Sequence, residues 1–433
     1  MKKASIYLSI SLFLGLTISC GTGNREDQTE TAKNEITFLT DFKIIAYSGP
    51  PQDEVNLERY QEIADAGIEY LVPANGAMDG ETNLKAMDLG QQVGLKIIPV
   101  DLRLLPFMLE QVVAIDTAAI RSIVNDYTGH PAMAAYVVRD EPHGDLFPDL
   151  RKICDVYRAL DPEHEPLINV LPSYGSPTML GFEDYRSYVV SYIETVEPRL
   201  FSYDFYALRE GHTMYEGWYS DLAIVREETR KADIPFVVFI QSEGIDKGLR
   251  VPNRAETLWQ VNTVLAYGAR GVGWFCYWTP APDQGFSQDE DEKQFLVEPH
   301  YNAMIDINGN RTELYDYVKE ANLYLKEAGK GLLEWDNTEV ARYKAGGVLE
   351  GSSPVVTPEG EGANLVIGTY RLDKKARVVI SNSSCEEPAS FTLTVDPQWK
   401  TDGIFTSIDA TPTEGTLTEW TLEPGGSVIL ELR

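Results

Sequence analysis

Four carboxylates stand at or near the ends of apolar runs. The stretch AAYVVRDEPHGD, residues 134–145, is apolar through Val138, then turns to Arg139, Asp140 and Glu141 before Pro142 stops it. PFVVFIQSEG, residues 235–244, ends in Gln241 and Glu243, and LFSYDFYAL, residues 200–208, carries Asp204 and Tyr206. Strand alternation groups Val237, Phe239, Gln241 and Glu243 on one side. Two carboxyl groups facing each other across a cleft suit cleavage of a glycosidic bond. One protonates the leaving oxygen; the other attacks the anomeric carbon or activates water. Glu141 and Glu243 form that pair, with Asp204 as the alternative second acid. Trp274 and Trp278, in GVGWFCYWTP (271–280), offer an aromatic platform for a sugar ring, and Tyr47 ends a further run, KIIAYSG (43–49). Each also has a plainer reading: a rim ion pair for Arg139 and Glu141, a loop start for QSEG, packing for Tyr206, Trp274 and Trp278.

The elements that position these residues repeat. KIIAYSG, IEYLVPA (68–74), LKIIPVD (95–101), MAAYVVRDEP (133–142), PLINVLPS (166–173), LFSYDFYAL, PFVVFIQSEG and GVGWFCYWTP are short and mostly apolar throughout. Strands buried on both faces of a parallel sheet read this way. Amphipathic stretches lie between them. NLERYQEIADAG places Leu57, Tyr60, Ile63 and Ala64 at helical spacing, and NRAETLWQVNTVLAYGARG places Leu258, Val261, Val264 and Leu265 on one face. Eight such units predict an α/β fold of the (β/α)8 TIM-barrel class over residues 42–335. A doubly wound open sheet is the competing layout, but SGPPQDE after the first run has no glycine-rich phosphate loop. Residues 311–329 read as the last barrel helix. Residues 336–433 change to short alternating segments broken by Gly, Pro, Asn and Asp, predicting a small antiparallel β-sandwich. Barrel enzymes carry their chemistry at the C-terminal ends of the strands, which is where these acids stand.

The chain has 433 residues, is 43% hydrophobic and 24% charged, and carries a formal charge of −30, so it is globular in composition and repels nucleic acid and anionic lipid surfaces. Lys2 and Lys3, then ASIYLSISLFLGLTIS, then Cys20 form a secretory signal layout over residues 1–19. Ser19 before Cys20 resembles a bacterial lipoprotein cleavage site, although Thr17 stands where a leucine is usual. Cys20 is then the lipidated residue, residues 20–41 a tether, and the protein exported and anchored to a bacterial membrane, on the periplasmic or surface face of the outer membrane. An ordinary cleaved signal is the other reading. Cys154, Cys276 and Cys385 make no C-x-x-C, and the five histidines are isolated, so neither a disulfide framework nor a zinc site is expected. The acidic run 287–293 reads as a solvated loop.

The Glu-Pro at the fourth strand end, with a second glutamate at the seventh, resembles the clan A glycoside hydrolases, retaining (β/α)8 enzymes that include the family 42 type of β-galactosidase. The resemblance spans about residues 42–330. It implies Glu141 as acid/base and Glu243 as nucleophile. It further implies Tyr206 bonded to the nucleophile and Trp274 or Trp278 as the floor of the site. The clan has Asn before its acid/base; here it is Asp140, which when ionised only accepts a hydrogen bond, and which favours a protonated neighbour. HPAMAAYVVRDEP and LAYGARGVGWFCYW are similar to stretches of glycosidase-like lipoproteins of gut-type bacteria. The expectation is an exported hydrolase of β-glycosides needing no cofactor and no metal. Its partner is an oligosaccharide or polysaccharide, and it meets the membrane only through the lipid. The alternative is a non-catalytic glycan-binding lipoprotein on the same barrel, motivated by Asp140.

Overall fold

The computed structural model of the chain describes residues 37–73, 78–104, 116–281 and 299–433. The expected signal, Cys20 and the acidic run 287–293 lie outside the described residues. The eight apolar runs are strands: β1 (Lys43–Tyr47), β2 (Tyr70–Val72), β3 (Lys96–Ile97), β4 (Ala135–Asp140), β5 (Glu165–Val170), β6 (Phe201–Asp204), β7 (Phe236–Gln241) and β8 (Gly271–Phe275). Neighbours in sequence pair in parallel, and β8 returns to β1. Between β3 and β4 the ring closes by a parallel bridge of Ile97 to Met133, with the Ile97 N–H donating to the Ala132 carbonyl at 2.7 Å and the Ala134 N–H to the Ile97 carbonyl at 3.0 Å. The fold is a (β/α)8 TIM barrel with a separate antiparallel β-domain after it.

Both strand faces are buried, which is why the runs lack polar alternation. Ile45, Tyr70, Val72, Ile98, Ala135, Val137, Leu167, Val237 and Phe239 fill the interior. Ile44, Leu71, Tyr136, Val138, Ile168, Tyr203, Val238, Val272 and Trp274 belong to the larger core outside the ring. There the strands meet the helices α1 (Leu57–Asp65), α2 (Gly80–Val93), α3 (Thr117–Tyr127), α4 (Phe147–Leu160), α5 (Tyr185–Val196), α6 (Tyr215–Ala232), α7 (Arg254–Ala266) and α8 (Glu313–Gly331). β8 presents glycine to the interior because Phe239 occupies the space: a Cβ on Gly273 would lie 2.3 Å from the Phe239 ring. The end of the expected tether is not free chain. Thr37–Thr40 is a helical turn, and Phe38 packs into the barrel interior edge-on to Tyr70 at 5.2 Å.

The C-terminal strands are β9 (Asp336–Lys344), β10 (Gly347–Gly351), β11 (Val356–Glu359), β12 (Leu365–Leu372), β13 (Lys375–Asn382), β14 (Ala389–Val395), β15 (Thr401–Pro412) and β16 (Glu419–Leu432). They pair antiparallel in the order β10-β9-β12-β13-β16-β14-β11, with β15 also on β16. β16 serves two groups of strands: its first part pairs with β14 and its last with β13. A core including Tyr343, Ile367, Phe391, Trp420 and Leu430 lies between them.

This domain corrects the reading of α7 as a helix with one apolar face. Residues 256–266 are all buried, because the barrel covers one side and the β-domain the other. Polar residues serve both neighbours: Gln260 exchanges bonds with the Gln241 backbone on the barrel side, and Asn262 Nδ2 donates to the Gly425 carbonyl at 2.8 Å on the other. Tyr370 and Asn337 donate to the Leu265 and Ala266 carbonyls at the helix end. The approach is close enough to require glycine: a Cβ at Gly368 would lie 2.0 Å from the Ala266 carbonyl oxygen. Gly368→Ala is therefore expected to lower unfolding stability by about 1–3 kcal/mol, measured by urea denaturation; an unchanged midpoint would contradict this account of the seam.

Candidate active site

A change of register at the end of β4 aims the first acids. Val137 lies beside Leu167 in the interior. Strict alternation from there would send Arg139 inward and Asp140 out. Instead the pairing slips between Val137 and Arg139, so that Arg139 lies beside Ile168, an outward residue, and Asp140 beside Asn169. A bulge re-aims side chains in this way. Glu141 follows with φ +42°, in the left-handed region that a non-glycine residue enters at a cost of about 1–3 kcal/mol. Two bonds hold the turn: the Glu141 N–H donates to the Asn169 carbonyl at 2.8 Å, and Tyr188 Oη donates to the Pro142 carbonyl at 2.8 Å. Asp140 and Glu141 both keep exposed surface.

Asn169 joins three strands. Its Oδ1 accepts from Ser202 Oγ at 2.9 Å, which turns Nδ2 toward Asp140 Oδ1 (3.2 Å) and Asp204 Oδ1 (2.8 Å). Tyr174 Oη lies 3.4 Å from the other Asp204 oxygen. Burial, reinforced by the charge of Asp140, raises the Asp204 carboxyl to about 8, against the bonds from Asn169 and Tyr174. Desolvation within the crowded strand ends also raises Asp140, though its side chain keeps surface at the mouth, and Asn169 and the charge of Arg139 oppose the rise. Of the pair, Asp204 is the member that holds the proton near neutrality, being 1% exposed where Asp140 is open to the mouth.

Glu243, in the loop after β7, is 0% exposed. His300 Nδ1 lies 2.8 Å from its Oε1, and Cys276 Sγ lies 3.0 Å from its Oε2. Burial and the charge of Glu243 raise the Cys276 thiol well above its ordinary value, so it stays S–H and donates. His300 arrives on a two-residue strand, His300–Tyr301, paired antiparallel with Gly244–Ile245. Gln241 does not offer its amide to the mouth. Its Nε2 donates to the carbonyls of Leu208, Glu243 and Arg250, and its Oε1 accepts from the Leu208 N–H, bracing the loops after β6 and β7.

The aromatic wall differs from the one expected. Trp274 is 0% exposed and points away from the interior, donating Nε1 to Asn322 Oδ1 on α8 at 2.8 Å, because Gly271, Gly273 and Phe275 take the inward positions of β8. Trp278 is buried under the Arg59 guanidinium of α1, 4.9 Å from the ring centre. Neither tryptophan floors the mouth. Phe275 holds the inward position instead, stacked on Tyr206 at 5.2 Å and meeting Tyr47 at 5.8 Å and His300 at 6.3 Å. Tyr206 does not bond Glu243, whose partners among the described residues are His300 and Cys276. Its phenol is raised by burial and by Asp204, Tyr174, Asp140 and Glu141, so it sits on the acid side of the mouth. Tyr47 likewise feels Asp140.

Asn169, Tyr174, Phe275, Cys276 and His300 were not singled out from sequence. Inward parity from Gly271 and Gly273 finds Phe275, and the end of the fifth run finds Asn169. His300 follows no strand signal of its own. Asp101, at the third strand end, is committed to Arg103 and Tyr127. No group of three or more His, Cys, Asp or Glu able to hold a metal occurs among the described residues.

No family model matches the chain, and no curated protein matches it in sequence. Solved structures match its fold. A β-galactosidase from Bacillus circulans sp. alkalophilus is similar at a TM-score of 0.55 and 10% identity, covering 90% of this chain and 99% of that one. A glycoside hydrolase family 5 protein from Bacteroides vulgatus is similar at 0.52 and 13% identity, covering 90% and 89%. With a Bifidobacterium dentium β-glucuronidase the chain spans 46% of that protein's length, at 12% identity over 66% of this chain and a TM-score of 0.44. The likeness shown is one of fold.

The acid pair has a thermodynamic signature. Asp204 binds its proton more tightly in the fold than in the unfolded chain, where its pKa is about 4. The folded state therefore holds extra proton between there and about 8, and stability falls as pH rises through that window. Asp221, which burial raises to about 7, adds a fall of its own. Asp204→Asn is expected to flatten the stability curve toward pH 8 and leave the slope from Asp221. Urea unfolding at pH 5, 7 and 9 checks this, and a wild-type slope in the variant would contradict it.

Proposed function

We propose that the protein is a glycoside hydrolase that opens a β-glycosidic bond by a retaining two-glutamate mechanism. Glu141 protonates the leaving oxygen, Glu243 attacks the anomeric carbon, and Glu141 then takes a proton from the incoming water. The observation that carries this reading is the bulged, left-handed end of β4, which turns Asp140 and Glu141 out at the end of that strand, three strands along the barrel from β7, whose following loop carries Glu243. Strain of that kind persists where the surrounding structure demands one geometry, and it gathers at active sites. The barrel likeness to a β-galactosidase and a family 5 glycoside hydrolase agrees with the reading. Phe275, Tyr206 and Tyr47 supply apolar faces for a sugar ring. Asp140 accepts from a sugar hydroxyl beside the acid. Glu141→Gln and Glu243→Gln are each expected to lower kcat on the best of a panel of 4-nitrophenyl β-glycosides by roughly 100-fold or more, with unfolding midpoints near wild type. Full activity in both variants would overturn the assignment.

A second reading, a non-catalytic glycan-binding protein, rests on Glu243 being 0% exposed with both oxygens engaged. In that case wild-type protein binds glycans without turnover, and Glu243→Gln leaves the affinity unchanged in calorimetry.

We infer export and lipidation at Cys20 from the layout of the first twenty residues. Cys20→Ala is expected to move the protein from the membrane to the soluble fraction. Retention of the variant in the membrane would contradict the anchor.

A further inference from the structure

A carboxylate removed from water needs donors in place of its hydration. Glu243 has two, and they come from different segments: Cys276 just after β8, and His300 on the short strand paired to Gly244–Ile245. A carboxylate only accepts, so the proton of the 2.8 Å contact belongs to His300 Nδ1. The thiol keeps its proton and meets the second oxygen at 3.0 Å. The two contacts fix both oxygens, and hence the plane of the carboxyl group. The same ribbon ties that plane to the backbone of Gly244, the residue after the glutamate. Gly244 has no room for a Cβ, which would lie 2.4 Å from the Tyr301 ring, so the ribbon packs directly on the chain that carries Glu243.

We propose that His300 is a positioning residue for the reaction, its Nδ1–H and the Cys276 thiol together holding the Glu243 carboxylate in the orientation from which it attacks. This rests on Glu243 being the nucleophile. His300 contacts the substrate in no step and acts through the glutamate alone. The role belongs to one ring nitrogen, which makes it separable from bulk or packing. The amide nitrogen of Asn overlays Nδ1 of His, whereas that of Gln overlays Nε2. His300→Asn therefore keeps the donor, and His300→Gln keeps a similar volume but loses it.

The experiment measures kcat and KM on 4-nitrophenyl β-glucoside, galactoside, mannoside, xyloside and N-acetylglucosaminide for wild type, Glu243→Gln, His300→Asn, His300→Gln, Cys276→Ser and Cys276→Ala. Unfolding midpoints are taken alongside. Misaiming a reacting group by about an ångström costs on the order of 100-fold in rate. The expected pattern is kcat down by about that factor in His300→Gln with KM little changed, and kcat within a few-fold of wild type in His300→Asn. Cys276→Ser, which keeps a donor, is expected to exceed Cys276→Ala. Equal kcat in the Asn and Gln variants, with Glu243→Gln inactive, would overturn the positioning role and leave the hydrolase reading standing. A Glu243→Gln variant as active as wild type, or a folded wild type inactive on all five glycosides, would sink the nucleophile assignment and the positioning role with it.

Discussion

The slip of register in β4 is the constraint on which the site depends. In a closed barrel packed on both faces, alternation decides which side chains enter the interior, and a strand cannot change its parity without an irregularity. Val137 and Val138 are committed to opposite sides of the wall. The slip after Val137 resets the count, brings Asp140 inward beside Asn169, and leaves Glu141 to turn the corner in the left-handed region. The cost of that corner is offset by the bonds from Glu141 to Asn169 and from Tyr188 to Pro142. Asn169 then does two things with one side chain. Its carbonyl is held by Ser202, and its amide joins Asp140 to Asp204. Three acids can crowd into this side of the mouth because Asp204 keeps its proton.

The opposite side is built on a different principle. Asp140 and Glu141 are open, while Glu243 is enclosed and its two oxygens are met by protein donors. The support for this side reaches into the C-terminal domain. Tyr370, Asn337 and Gly425 engage α7 from the β-sheet. Gln260 of α7 bonds the Gln241 backbone, and the Gln241 side chain bonds the Glu243 carbonyl. The β-domain thus braces the helix that braces the loop carrying the glutamate, which gives a domain without an obvious ligand motif a mechanical part in the site.

Much of this was legible in the sequence, for a physical reason. Strands buried on both faces leave short unbroken apolar runs, and eight of them separated by amphipathic stretches define the barrel. The change to alternating segments after residue 335 marks the β-domain. The acids could be located because they end those runs. Their orientation could not: a slip in pairing leaves no mark on a single strand, and without it Asp140 counts as outward. The tryptophans were misplaced for the opposite reason. Trp274 obeys alternation, which turns it toward α8 and leaves the inward position to Phe275, a residue with no polar handle to mark it. His300 lies far from Glu243 in sequence, and nothing local announces that its strand returns to Gly244–Ile245. The uniform burial of α7 was hidden as well, because a helix pressed between two domains needs polar residues for both neighbours and so looks amphipathic.

The most direct test of the account is the stereochemistry of the first product. Proton NMR of the hydrolysis of a good 4-nitrophenyl β-glycoside, followed from the first minutes, distinguishes the anomers before they equilibrate. Two glutamates acting through a covalent glycosyl-enzyme release the β-anomer first. An α-anomer appearing first would mean that a water, not Glu243, attacks the sugar, and would contradict the roles assigned to both sides of the mouth.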